Sequence, residues 1–159
     1  MLESIIVGVA VLLDRLSKLW AIHSLQGMPG GRMDVIPGVL EFHHVENKGA
    51  AFSLFWGKTW FFILVSVVVI ALLTFYLIRY RSQESIWLRI AIASILGGAI
   101  GNLIDRILYG YVVDMINPLF VRFAVFNVAD IFVTCGTILF VFLLIFWPMI
   151  KKRKEKKQA

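Results

Sequence analysis

WFFILVSVVVIALLTFYLI, residues 60–78, runs its whole length without a charged side chain, a Gly or a Pro. An α-helix rises about 1.5 Å per residue, so roughly 20 apolar residues cross the ~30 Å hydrocarbon layer of a bilayer. This stretch therefore predicts a membrane span, and three further segments read the same way when the chain is followed outward from it. Residues 131–150 are also free of charge, and residues 86–108 are interrupted only by Arg89 near one end and by Asp105 and Arg106 near the other. Residues 4–25 begin like the apolar core of a secretory signal. Glu3 rather than a Lys or Arg precedes that start, and Asp14, Arg15 and Lys18 follow it, so the segment reads as a retained helix. The predicted fold is an all-α integral membrane domain occupying residues 1–159. Its four transmembrane helices lie at about 4–25, 60–78, 86–108 and 128–150.

Composition agrees. The chain is 60% hydrophobic and 16% charged, with a mean hydropathy of +0.85, whereas a soluble domain carries roughly 25% charged residues. An ordinary soluble domain and a disordered chain are both excluded. The single cysteine, Cys135, excludes an internal disulfide framework and a cysteine-rich metal site. Cys135 falls in the apolar body of the fourth helix, which predicts a packing role. The net charge of +6 sits mostly in residues 151–157, where six Lys or Arg stand against Glu155. A basic run directly after an apolar span is a topological anchor, so no nucleic-acid partner is expected. With Arg79 and Arg81 between helices 2 and 3, the tail at 151–159 places both termini in the cytoplasm. The loops 26–59 and 109–126 then face outward. Trp56, Trp60, Trp87, Tyr109, Tyr111 and Trp147 fall near span ends, as an aromatic belt would.

The first outer loop predicts structure of its own. Pro37-Gly38 occupies the middle of a type II turn, and Leu40, Phe42 and His44 alternate with Val39, Glu41, His43 and Val45. A small half-buried β element follows from that alternation, and it must lie at or above the interface because open strands are not tolerated in lipid.

Ionisable groups within the spans carry the functional signal. A charge at mid-bilayer costs from about 2.5 to well over 10 kcal/mol, so such residues usually face a bundle interior or a wet cavity. Asp14 and Lys18 are four apart and can pair on one helix face. Asn102, Asp105 and Arg106 form a polar face near the outer end of helix 3, below the small-residue pair Gly97 and Gly101. Asp114 lies in the apolar run VVDMI just beyond that end. Asp130 lies at the outer start of helix 4, where Asn127 is a suitable N-cap. Helices 3 and 4 run antiparallel, so Asp114 and Asp130 converge at one depth near the outer interface. Two carboxylates in a semi-dry site cannot both ionise easily. One can then deprotonate a water while the other donates to a carbonyl oxygen, as amide hydrolysis requires. The positive helix end favours charge on Asp130, and the apolar neighbours of Asp114 favour its neutral form. No HExxH or GxSxG occurs, and His23, His43 and His44 have no zinc spacing, so no metal is expected.

Five blocks in order, DRLSK (14–18), NKGAAFS (47–53), GGAIGNLIDR (97–106), VVD (112–114) and FNVAD (126–130), closely resemble the motifs of bacterial lipoprotein signal peptidase, or signal peptidase II. Ser17 stands where that family often has Thr, and Met115 where Phe is frequent. The resemblance implies an aspartyl endopeptidase of the bacterial inner or cytoplasmic membrane with its active site near the outer face. Its substrate would be a diacylglyceryl-modified prolipoprotein, cut before the lipidated cysteine. Asp114 and Asp130 become the catalytic pair. Asn47, Asn102, Arg106 and Asn127 become site-lining groups, with Asp14, Lys18 and Asp105 in support. Membrane lipid is the only other partner implied; no metal or organic cofactor is, and the chain is expected to act as a monomer. The alternative is a small proton-coupled membrane transporter. Transport favours midplane carboxylates, and here only Asp14 and Lys18 approach that depth.

Overall fold

A computed structural model describes residues 1–49 and 59–158, with side chains up to Phe146. Residues 50–53 of the NKGAAFS block and Trp56 lie outside the described residues, as do the side chains of Trp147 and the basic run. Among the described residues there are four long helices: α1 (Leu2–Leu25), α2 (Thr59–Tyr80), α3 (Ile86–Tyr109) and α4 (Val128–Gln158). α2, α3 and the Val128–Phe146 part of α4 are long and apolar enough to cross a membrane. α1 is as long as α3, but Asp14, Arg15 and Lys18 near its middle set it apart.

α3 is central and packs on α1, α2 and α4. Close approach explains its glycines. A Cβ on Gly97 would lie 2.5 Å from the Ala10 Cβ of α1, and one on Gly136 of α4 would lie 2.8 Å from the Ala91 carbonyl of α3. The buried face of α1 is Ala10, Asp14, Lys18, Ala21 and Leu25, at helical spacing, so its charged residues lie inward while Leu12, Leu13, Leu16 and Leu19 face out. α2 shows the reverse economy: of its residues only Leu77 is buried, and Trp60, Leu64, Leu72, Phe75 and Ile78 are exposed. An outer surface of that kind suits hydrocarbon, not water. At the end remote from the sheet, Leu77, Leu88, Ile92, Leu96 and Leu143 form an apolar core.

The β element is larger than the sequence suggests. Strands β1 (Arg32–Ile36), β2 (Leu40–Asn47) and β3 (Val112–Pro118) form an antiparallel sheet in that order, so the second outer loop supplies the third strand. β3 is hidden from a periodicity argument because Val112, Val113, Asp114 and Met115 are all buried, leaving no alternation. In the β1–β2 turn Gly38 takes φ 72° and the Val39 N–H reaches the Ile36 carbonyl at 2.9 Å, which fits the Pro-Gly reading. The alternation expected along β2 does not hold. Its most buried member is Glu41, held by the Asn117 amide at 2.7 Å and by Arg32 at 3.3 Å, and a bulge between Phe42 and Val45 breaks the period. The sheet docks on the end of α1, where Val113 and Met115 pack with Ala21 and Leu25 and Trp20 meets Phe42 edge-on.

Other differences are local. α4 continues to Gln158, so the basic run extends the helix instead of forming a separate tail; Arg79 lies within α2, not in the link after it. Cys135 is exposed on the outer surface of α4, which overturns the packing role. The face of α4 that packs inward there carries Gly136, one residue on.

Candidate active site

Asp114 and Asp130 stand on different elements and meet at Asn127. Gly110, at φ 77°, caps α3 by donating its N–H to the Arg106 carbonyl at 3.2 Å, and so turns the chain straight into β3, which carries Asp114. On α4, Asn127 and Asp130 form a reciprocal cap. The Asp130 N–H donates to Asn127 Oδ1 at 2.9 Å and the Asn127 N–H donates to Asp130 Oδ2 at 3.2 Å. The other end of the Asn127 amide leaves the helix. Its Nδ2 donates to Asp114 Oδ1 at 2.6 Å and to Asn102 Oδ1 at 3.1 Å. N-capping by Asn127 is thus real, and it does not compete with a site role: one residue caps the helix and joins the two acids.

Every oxygen of the pair accepts an N–H. Asn102 Nδ2 reaches Asp130 Oδ1 at 2.8 Å, and Asn47 Nδ2 reaches Asp114 Oδ2 at 2.9 Å. Pairing of β2 with β3 makes the second contact possible, because Asn47 lies opposite Val112 and Asp114 lies two residues along the same face. Asp114 is 2% exposed. Burial first, and the Asp130 charge second, push its carboxyl up to about 7, against the opposing pull of the Asn47 and Asn127 amides and Lys18. Near neutral pH this acid can hold or release a proton.

Behind the pair stands a fully buried ionic layer. The Lys18 ammonium lies 2.9 Å from Asp14 Oδ2, 2.8 Å from Asp105 Oδ2 and 3.0 Å from Asn102 Oδ1. Each carboxylate of this layer holds the backbone next to one acid of the pair. Asp14 Oδ1 accepts the Ala129 N–H at 2.9 Å, immediately before Asp130, and Asp105 Oδ2 accepts the Val113 N–H at 3.1 Å, immediately before Asp114. Arg106 donates to the Asn102 carbonyl at 3.3 Å, and its guanidinium lies 5.3 Å over the Phe62 ring.

The site residues read from the sequence therefore divide. Asn47, Asn102 and Asn127 touch the acids directly, Asp14, Lys18 and Asp105 sit one layer behind, and Arg106 lies beside the pair on α3. Asp105 does not share a wall with Asn102, since it turns toward α1 and β3. Two residues escaped the sequence reading. Arg15, given no partner by the sequence, pairs with Asp105 and donates to the Tyr109 hydroxyl at 3.2 Å. Gly101, read as helix packing, also seats the Asp14 carboxylate, because a Cβ there would lie 2.5 Å from Asp14 Oδ2. Neither partnership has a local signal: Arg15 and Asp105 are 90 residues apart. Among the described residues, no three His, Cys, Asp or Glu side chains come together in a metal-holding group.

Comparison with known proteins follows the same lines. Residues 6–146 match the signal peptidase (SPase) II family. A lipoprotein signal peptidase of Clostridium novyi (strain NT) is 39% identical over 147 residues, covering 91% of this chain and 97% of its own length. One of Streptococcus pyogenes serotype M5 (strain Manfredo) is 42% identical over 134 residues, covering 84% and 86%. Two solved structures of bacterial membrane enzymes superpose well. The first has a TM-score of 0.79 at 31% identity, covering 99% of this chain and 92% of its own, and the second 0.76 at 32%, covering 89% and 91%. Nothing in these likenesses supports the transporter alternative.

Proposed function

The chain belongs to the signal peptidase II family, a peptidase of the bacterial membrane, and from that premise we propose an aspartyl endopeptidase that cuts diacylglyceryl-modified prolipoproteins before the lipidated cysteine. The observation that carries the proposal is the junction of Asp114 and Asp130 through the Asn127 amide. Asp130 acts as the base and takes a proton from a water, whose oxygen bonds to the scissile carbonyl carbon. Asp114, held near 7 by burial and by its neighbour, gives its proton to the carbonyl oxygen. Collapse of the resulting gem-diol returns a hydroxyl proton to Asp114, breaks the C–N bond and passes the proton on Asp130 to the leaving amine. One water is consumed and both acids end as they began.

Asn47, Asn102 and Asn127 hold the pair, and Arg106 offers positive charge beside it. α1 completes a set of four spans, its charged face turned inward against α3 and α4. Both termini lie in the cytoplasm, the sheet and the pair at the outer face, and the chain works as a monomer with lipid as its other partner. The first outer loop rests on the membrane and helps clamp the substrate.

Cleavage of a lipid-modified prolipoprotein by the purified protein tests this reading. Wild type is expected to cut before the modified cysteine, and Asp114→Asn and Asp130→Asn to fail. Full activity in either variant removes that residue from the chemistry. Equal cleavage of the unlipidated precursor removes the lipid requirement.

A further inference from the structure

An asparagine amide can be turned either way, offering an oxygen or an N–H to a given neighbour. The three amides around the acid pair are each fixed by a group that can only donate. Asn47 Oδ1 accepts the Gly49 N–H at 3.0 Å, so its Nδ2 must face Asp114. Asn127 Oδ1 accepts the Asp130 N–H at 2.9 Å, so its Nδ2 must face Asp114 and Asn102. Asn102 Oδ1 accepts from Lys18 Nζ at 3.0 Å, so its Nδ2 must face Asp130. Two of these pins are backbone N–H groups. The third is a side chain, fully buried, whose ammonium has no acceptor capacity at all.

We propose that Lys18 is a positioning residue that sets the direction of the Asn102 amide, and through it the donor that Asp130 receives. Pairing with Asp14 and Asp105 keeps the ammonium in place and gives it charge balance; contact with Asn102 gives it a part in the reaction. Without the ammonium, Asn102 Oδ1 keeps only the longer Asn127 Nδ2 hydrogen bond at 3.1 Å, and the acceptor at Asp130 Oδ1 is the one other contact that opposes a turn of the amide. A turned amide would set its oxygen against Asp130. A carboxylate that loses an N–H donor takes up a proton more readily, so the pair would need a higher pH to reach its working form. Among the described residues, the other charged groups near the pair are Arg106 beside it on α3 and, one layer behind, Asp14 and Arg15 on α1 and Asp105 on α3; loss of the ammonium unbalances Asp14 and Asp105 alike in every background compared.

This inference rests on the aspartyl reading above, and the test separates the two. Cleavage of lipid-modified prolipoprotein is followed against pH for wild type, Lys18→Met, Asn102→Ala and the double variant, with Asp114→Asn and Asp130→Asn beside them. Lys18→Met is expected to lower kcat about tenfold to hundredfold, the effect of a lost hydrogen bond to a charged group, with KM within about twofold. The acid limb of the kcat profile should move to higher pH. In the Asn102→Ala background the same substitution should move that limb much less, because no amide remains to turn. Loss of charge is common to both backgrounds, so the difference between them reports on the amide alone. Equal movement of the limb in both backgrounds, or none in either, overturns the proposal. Should melting show Lys18→Met unfolded, Lys18→Gln is carried through the same four-way comparison, since its amide can itself turn and so cannot pin Asn102. Full activity of Asp114→Asn or Asp130→Asn, by contrast, would overturn the aspartyl reading and leave the limb comparison standing as a separate result.

Discussion

At the end of the bundle away from the sheet, Glu3 of α1 accepts from Arg81, in the link after α2, and from Arg89 of α3. At the sheet-bearing end, Asp14, Lys18 and Asp105 join α1 to α3 in the same manner, with Arg15 alongside. Both clusters tie the same two helices with opposite charges. They differ in where their remaining polar atoms go. The Arg81 side chain is 52% exposed, so the spare donors of that cluster lie at the surface. Lys18, Asp14 and Asp105 have no exposure, and their spare atoms reach Asn102, the Ala129 N–H and the Val113 N–H, each one step from an acid of the pair. Buried ion pairs are poor investments in stability, because desolvation cancels most of the attraction. What the sheet-bearing cluster supplies is alignment, and the remote cluster supplies closure of the helix ends.

Catalysis should break the symmetry most sharply. Loss of a general acid or base costs typically 10²–10⁴-fold in rate. Asp114→Asn and Asp130→Asn should each lower kcat on lipid-modified prolipoprotein by about 10³-fold or more while the protein still melts cooperatively. Glu3→Gln, a buried carboxylate at the other end, should leave kcat within about twofold. A comparable loss in Glu3→Gln would show that the two ends are not functionally distinct.

The pH dependence of stability sharpens the contrast next. The Asp114 carboxyl is held at about 7 when folded against 3.8 ordinarily, burial being the main cause. Between those values the native state binds more protons at this residue than the unfolded chain, so stability falls as pH rises. The contribution is fully present below about 4 and gone above about 7. Three pH units correspond to on the order of 4 kcal/mol at most. Measured as the difference in melting temperature between wild type and Asp114→Asn, the wild type should lose ground steadily from pH 4 to pH 8. A flat difference would mean that the carboxyl is ordinary and the site wet.

Third comes the glycine beneath the ionic layer. Gly101→Ala puts a Cβ 2.5 Å from Asp14 Oδ2 and 3.3 Å from the Ala129 Cβ, so the carboxylate must shift away from Lys18 and the Ala129 N–H. Overpacking of this kind costs about 1–3 kcal/mol, and activity should fall with it. Gly8→Ala, at an exposed position of α1 with open space around its Cβ, should leave activity unchanged and should not lower the melting temperature. Thermal melts with activity on the same samples decide it.

How far these differences were readable in advance depends on what kind of signal each carries. Spans show in runs of apolar residues, and Asp14 with Lys18 shows in a four-residue spacing. The acid pair shows because an Asp flanked by Val and Met has no local reason to exist. The third strand does not show: a strand buried on both faces has no alternation to detect. The seating of Asp14 on Gly101 and the pairing of Arg15 with Asp105 do not show either, since each joins segments far apart in the chain. Asn127 shows only half of its work, because a cap is a local pattern and a bridge to Asp114 is not. Glu41 misleads outright, as strand periodicity cannot anticipate a carboxylate drawn inward by Asn117 and Arg32.

The smallest effect tests the remote end by itself. Arg81 donates to Glu3 Oε1 at 3.1 Å, but Arg89 contacts the same oxygen and is far less exposed, its side chain at 20%. Arg81→Gln therefore leaves the carboxylate a partner and removes only a half-exposed ion pair, of the kind worth about 0–1 kcal/mol. Its melting temperature should fall by no more than a few degrees, the change should shrink further in high salt, and kcat on lipid-modified prolipoprotein should not move. Arg89→Gln takes the more enclosed partner of the same carboxylate and should cost more stability than Arg81→Gln, again with kcat unchanged. If Arg81→Gln instead slowed cleavage at unchanged melting temperature, the clusters at the two ends would be coupled through α1 and α3, and the division between alignment at one end and closure at the other would fail.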